Sequence, residues 1–449
     1  MGTNENLAGG STPLFLSKLN TASKLKVVIA TPCLPWPLTE GGRVAQYRTL
    51  EALGDACDFT LVFPAYTWSD LEGAREFSAR MPNVRVEAVR CADIAKFPLK
   101  PSQVARMLRS RVRPLFATAA RSQTETLGYP FGPLNPRFTA AVADHVSRGC
   151  DIFQAEFSEM LSLGPLIGRT CPSLLVHHQP HFLYAKRFLE AGPKIEPGAD
   201  YLFQRMQVEE RSFLETFDAT IVFSDTDQAA LRDFCPGLAV HSSPFPAPLE
   251  PAAEAPIFDA PIHEFAFIGS AGHPPNVQGL TRFVGEAWPA IKQRLSQATL
   301  EVIGNWPPSA RAQVANGNGV RFLGHVPDLA MLRDKIMVVP VWIGSGIRTK
   351  ILSAWSIGCP VVTTTIGAEG LSGIDGEHYL AADNPGELAE ACIKLSRDTA
   401  ALNRLCANGL ALAHQRYSLA AVRERRLEIY AELLGKSSSA TRFEACSTR

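Results

Sequence analysis

No stretch of this chain approaches the ~18 consecutive apolar residues that a membrane-spanning helix needs. Residues 1–23 also lack the basic-then-apolar pattern of a signal peptide and are expected to be a disordered leader. Net charge is missing too: 44 Lys and Arg balance 44 Asp and Glu, so no overall field invites a nucleic acid. The ten cysteines have neither CxxC nor metal-ligand spacing, which argues against a disulfide framework and for a reducing, cytoplasmic setting. A dinucleotide-binding GxGxxG is absent, which argues against a dehydrogenase. No pair of carboxylates at glycosidase-like positions can be picked out.

The chain does have length and apolar content. Its 449 residues, 46% of them hydrophobic, are enough for two domains with substantial cores. The most informative stretch is Val338 to Leu371, which reads as strand, glycine loop, helix, strand and loop. Val338 to Ile343 is an apolar run of buried-strand length. Gly344-Ser345-Gly346 breaks it and is expected to open a helix that Gly358 and Pro360 end. Val361 to Thr365 is β-branched almost throughout and reads as the next strand. A glycine loop at a helix N-terminus after a buried strand suits an anion, because backbone N–H groups and the helix dipole face it. Arg348 and Lys350, read in the first turn, add two cations. Lys350 and Ser353, at i,i+3, share a face.

These residues resemble the sugar-nucleotide signature of GT-B retaining glycosyltransferases of the large family four type. The pattern Gly-Ser-Gly-x-Arg-x-Lys, then Gly-x-Pro-Val-Val-x-Thr, then Gly-x-Glu-Gly-Leu is matched by Gly344, Ser345, Gly346, Arg348, Lys350, Gly358, Pro360, Val361, Val362, Gly367, Glu369, Gly370 and Leu371. The family's ribose-binding glutamate falls on Ser353. A serine makes one neutral hydrogen bond where a carboxylate makes two charged ones. The resemblance is specific over residues 262–383 and consistent in order over residues 24–243.

It implies an α/β protein of GT-B architecture, two Rossmann-like domains facing across a cleft. The expected acceptor domain is 24–243, rejoined by a C-terminal helix at 418–435. A proline-rich linker at 244–261 and a donor domain at 262–415 follow. The implied reaction is transfer of a sugar, with retention, from a nucleoside-diphosphate sugar to an acceptor hydroxyl. No metal and no further cofactor is expected. Arg348, Lys350 and the loop Gly344, Ser345 and Gly346 would stabilise the departing diphosphate, with Glu369 close enough to approach the sugar hydroxyls. Alternatives are a sugar-nucleotide epimerase and a non-catalytic sugar-nucleotide or glycan-binding protein, the latter motivated by Ser353.

Other candidates follow in chain order. Gly41 and Gly42 open the first helix after the strand Leu25 to Ala30, and the resemblance turns them to the cleft. Between Ile94 and Thr124 seven basic residues interleave with apolar ones and no acidic residue occurs. Such an amphipathic stretch, Lys96 to Arg121, suits peripheral membrane contact or a lipid-linked glycan acceptor, although charge runs are also simply solvated faces. His177, His178 and His181 are read in a loop at a strand's C-terminal end. A metal site, contact with the sugar or acceptor, and an ordinary loop are the readings open to them, with His181 taken as the catalytic candidate. Gly269 and Ser270 are expected beside the donor, and His325 and Val326 near its base.

Overall fold

The computed structural model describes residues 24–38, 40–92, 127, 131–167, 170–191, 195–249, 254–314, 318–326, 328–344 and 346–447. The leader 1–23, Lys96 to Arg121 and Ser345 lie outside the described residues. Seven parallel strands build the first sheet: β1 (Leu25–Ala30), β2 (Cys57–Ala65), β3 (Val84–Arg90), β4 (Ile152–Glu156), β5 (Ser173–Val176), β6 (Ala219–Val222) and β7 (Val240–Ser242). Their order is β3-β2-β1-β4-β5-β6-β7. The second sheet has six: β8 (Glu264–Ile268), β9 (Thr299–Ile303), β10 (Val320–Gly324), β11 (Ile336–Val339), β12 (Val361–Thr363) and β13 (Leu380–Ala381), ordered β10-β9-β8-β11-β12-β13.

Both orders reverse direction once, at β1/β4 and at β8/β11. In open parallel sheets the crevice at the strands' carboxyl ends, at such a reversal, is where ligands bind. The two reversal points carry the candidate residues.

Strand composition explains burial. β4, β5, β6 and β11 are buried along their whole length, as parallel strands covered on both faces must be. The expected strand at Val338 to Ile343 is shifted. β11 is Ile336–Val339 and stops before Pro340, which has no N–H to give a ladder. The β-branched run from Val361 is cut at Thr363 because Thr364 becomes a helix cap, its Oγ1 accepting from the Gly367 N–H at 2.9 Å.

The connector at 244–261 is pinned to the second half of the chain. The Ala247 N–H donates to the Tyr417 carbonyl, the Phe258 N–H to Asn403 Oδ1 and the Ile262 N–H to the Ser396 carbonyl. The C-terminal helix, Leu419–Ser447, crosses to the first sheet and runs beyond the expected end at 435. Arg423 pairs with Asp55, the Arg425 Nε–H donates to the Ser242 carbonyl, and the buried Tyr430 hydroxyl donates to Gln154 Oε1 at 2.6 Å. Among the described residues no helix is long and apolar enough to cross a membrane.

Candidate functional site

The site forms where the loops after β8, β9, β10 and β11 meet those after β1, β4 and β5. On the second sheet the loops are stitched together. Ser270 Oγ accepts from the Asn305 N–H, the Trp306 indole donates to the Gly269 carbonyl at 2.6 Å, and the Gly304 N–H donates to the Gly324 carbonyl. A Cβ on Gly269 would lie 2.7 Å from the Asn276 amide, so the chain there needs glycine. Asn276, which follows Pro274 and Pro275 in the helix Pro274–Arg282, turns Nδ2 to the Ser270 carbonyl and Oδ1 to Lys350 Nζ, 2.6 Å away.

The helix after the glycine loop spans Thr349–Ser356 and does not begin at Gly346. Arg348 therefore precedes the first turn instead of lying in it. The glycine loop carries the chain to Thr349 with left-handed φ at Gly344 and Gly346, and Arg348 folds back so that Nη1 donates to the Gly346 carbonyl at 2.7 Å. Lys350 enters the helix and aims inward, its ammonium 4.8 Å from the centre of the Phe267 ring. Burial, then the charge of Arg348, pushes the Lys350 pKa down to about 7. Burial likewise lowers Arg348 to about 10. Both cations are partly withdrawn from water, so an anion placed beside them would be attracted more strongly than at an open surface. Ser353, half-buried, is one turn beyond Lys350. Val326 is partly buried, while His325 is exposed at the mouth of the same loop cluster.

From the first sheet, Gly41 comes against Thr349: a Cβ on it would stand 2.9 Å from that side chain. Gly42 is still more confined, with the Phe157 ring 2.5 Å and His178 Nδ1 3.4 Å from where its Cβ would be. Phe157, the lone described non-glycine residue with positive φ, stacks flat on His178 at 3.8 Å between centroids. His178 Nε2 is 2.7 Å from Glu156 Oε2, and Glu156 Oε1 accepts from Gln154 Nε2 at 2.6 Å. An acceptor-only carboxylate keeps the proton on Nε2 and turns Nδ1 toward Gly42.

The three histidines thus divide. His177 is fully buried, with Nε2 3.0 Å from Glu210. His181 is not in a loop: it opens the helix His181–Ala191, its backbone N–H donates to Glu210, and its ring packs on Phe131. Burial holds its pKa below the ordinary value. His178 is the one pressed against the cleft glycine. Neither Glu156 nor Phe157 carries a site signal in the sequence, although both stand at the carboxyl end of β4, where such folds place ligands.

Glu369 faces the opposite domain. Both its oxygens accept from Arg187, at 2.5 and 2.7 Å, and Arg187 Nη1 also donates to the Gly344 carbonyl at 2.8 Å. The next residue, Gly370, abuts Ser224 across the cleft. Ser224 in turn donates to Asp227, whose carboxyl burial holds above its usual range. Among the described residues no three His, Cys, Asp or Glu side chains gather as a metal set.

Residues 263–398 match the family model described as "Glycosyl transferases group 1". The fold is that of solved GT-B proteins. Sucrose-phosphate synthase from Thermosynechococcus elongatus superposes with TM-score 0.66 at 16% identity, over 92% of this chain and 100% of that one. HepE of Anabaena, solved with UDP and glucose, gives 0.63 at 15%, over 91% and 100%. TarM gives 0.65 at 11%, over 91% and 99%. An uncharacterized 44.6 kDa protein in the cps region of Klebsiella pneumoniae is 24% identical over 170 residues, which span 36% of this chain and 44% of that protein.

Proposed function

From a second domain that matches the glycosyl transferases group 1 model, we propose that this chain transfers a sugar from a nucleoside-diphosphate sugar to an acceptor hydroxyl, with retention. The observation that carries the reading is the pair of desolvated cations, Arg348 and Lys350, at the Gly344–Gly346 loop beyond β11. Cleaving the glycosidic bond to a diphosphate builds negative charge on the leaving oxygens. Preorganised cations and amides that need no reorganisation stabilise such charge best. Lys350, held by Asn276 and Phe267, would take the leaving diphosphate, with Arg348 beside it and no metal required. The Gly269–Ser270 turn would border the donor, and the loop with His325 and Val326 its base.

The cleft histidine in this reading is His178. Its Nδ1, fixed by Glu156 behind it, would meet a hydroxyl of the sugar or the acceptor next to Gly42. UDP is the first nucleotide to try, since HepE was solved with it. We take the acceptor to be a glycan or glycolipid, as the resemblance implies, in keeping with a relative found in a cps region. The basic stretch Lys96 to Arg121 would bring the protein to an anionic lipid surface.

Thermal stability with UDP, GDP, ADP and their sugars, with and without EDTA, tests the donor site. A ligand at ~100 times its Kd adds about 2.7 kcal/mol. A selective, EDTA-insensitive shift that vanishes in Arg348→Ala and Lys350→Ala is expected. No shift with any nucleotide would overturn the reading. Ser353 keeps a second one in play, a sugar-nucleotide-binding protein without turnover. Acceptor-dependent nucleotide release separates the two, and the anomeric configuration of the product, read by NMR, tests retention.

A further inference from the structure

Arg187 is the residue for which the reading above has no use, yet its side chain reaches two loops of the second domain. It lies in the middle of the helix His181–Ala191, whose start is fixed by the buried carboxylate of Glu210, accepting from the N–H groups of His181 and Phe182 at 2.9 and 2.8 Å. From this anchored helix the guanidinium crosses the cleft and meets two separate loops of the second domain. One is the glycine loop, through the Gly344 carbonyl; the other is the loop after β12, through both oxygens of Glu369.

The geometry has three consequences. A guanidinium presents a planar fork, so a two-pronged grip on Glu369 fixes orientation as well as distance. The remaining bond, to Gly344, ties the same plane to the loop that carries Arg348 and leads into Lys350. Finally, both partners are about three-quarters buried, with side-chain exposures of 24% and 27%, so water screens the pair less than it does a surface bridge. Gly370 against Ser224 closes the contact on the far side.

We propose that Arg187 is a positioning residue: it couples the spacing of the two domains to the shape of the donor loops, through Gly344 on one side and Glu369 on the other. The role rests on the transferase reading but does not repeat it. Glu369 then acts as the docking carboxylate for the opposite domain, and its effect on the sugar passes through Arg187. Loss of the clamp lets the two loops move apart and lets the first domain, with His178, swing away from them.

The test uses the full chain with Arg187→Lys, Glu369→Gln and the double variant, each checked to be folded by a cooperative melting transition. Lysine keeps the charge and loses the fork, which makes it the variant to trust if alanine misfolds. Turnover of the UDP-sugar found active in the donor screen is expected to fall on the order of tenfold or more in each single variant. The fall should lie in kcat more than in the affinity for UDP alone, and the double variant should be no worse than either single one. Additive losses, or a lysine variant with unchanged kcat, would overturn the proposal. Small-angle scattering of the unliganded variants gives an arm that needs no nucleotide: Arg187→Lys and Glu369→Gln should both expand the protein relative to the unsubstituted chain. If no nucleotide binds the unsubstituted chain, the transferase reading fails while this arm still decides the clamp. Unchanged scattering in both variants would count against it.

Discussion

Lys350 Nζ donates to Asn276 Oδ1 at 2.6 Å, joining the helix Thr349–Ser356 that follows β11 to the helix that follows β8, the strand beside β11 in the sheet. This hydrogen bond orients an ammonium that burial has already brought near its titration point at neutral pH.

A pH dependence follows from it. Lys350 titrates at about 7 in the free protein, and a bound diphosphate raises that value. Below pH ~7 the ammonium is charged with or without ligand, so Lys350 adds no further pH dependence there, and only protonation of the nucleotide's own terminal phosphate, at about pH 6, weakens binding. Above it each binding event must take up a proton, and Kd weakens toward tenfold per pH unit until the bound-state pKa is passed. Calorimetric titration of UDP in buffers of different ionisation heat should show proton uptake near pH ~8, absent in Lys350→Met. Affinity that is independent of pH would remove Lys350 from the phosphate site.

Ser353 gives a gain-of-function test. Ser353→Glu should tighten nucleotide binding about tenfold, since charged hydrogen bonds to ribose hydroxyls replace a neutral one. The gain should shrink for 2′-deoxyuridine diphosphate. An unchanged Kd would mean that the ribose is held elsewhere.

The histidines can be ranked by turnover. His178→Ala should lower kcat by about 10²-fold, the lower range for loss of a proton-handling group. Glu156→Gln should cost less but act in the same direction, because an amide can turn an N–H toward Nε2 and upset the tautomer. His181→Ala should chiefly lower the melting temperature. If His181→Ala abolishes turnover while His178→Ala does not, the assignment passes to His181.

Cys150 and Cys171, just before β4 and β5, hold their sulfurs 3.5 Å apart. Hydrogen bonding from Cys150 lowers the Cys171 pKa. Cys150 opens onto a groove lined by Lys26, Asp58 and Arg148. Peroxide should therefore join the pair, two thiols giving up two protons and two electrons as the oxidant becomes water. A link across a loop of this size is expected to stabilise by about 3 kcal/mol. Intact mass and melting temperature, with Cys171→Ser as control, decide it. A mass unchanged by peroxide would show that the sulfurs cannot meet.

The sequence made some of this legible and hid the rest for physical reasons. Leu25–Ala30 and the Gly344–Lys350 loop could be read because their signals, β-branched runs and glycines beside cations, are contiguous. The end of β11 needed only the rule that Pro340 gives no N–H, which the apolar run outweighed. Arg348 looked helical because its neighbours are; its own backbone, at φ −85 and ψ 84, is set by the bond to Gly346. Arg187 carried no local signal at all, since the partner that gives it a role is 182 residues away. That His178, and not His181, lies against Gly42 was equally invisible, because packing on Phe157, Glu156 and Phe131 decides it.

The helix from Leu419 lays Leu427, Ile429, Tyr430 and Leu433 into the core of the first domain. On the ribosome, then, the first domain to begin is the last to finish. Strands β1 to β7 emerge early but keep an uncovered apolar face while the domain of the second sheet is synthesised, an interval in which a nascent chain is exposed to aggregation. A fragment cut after residue 243 would carry the same uncovered face permanently, so the cleft half that holds His178 is best prepared as part of the whole chain.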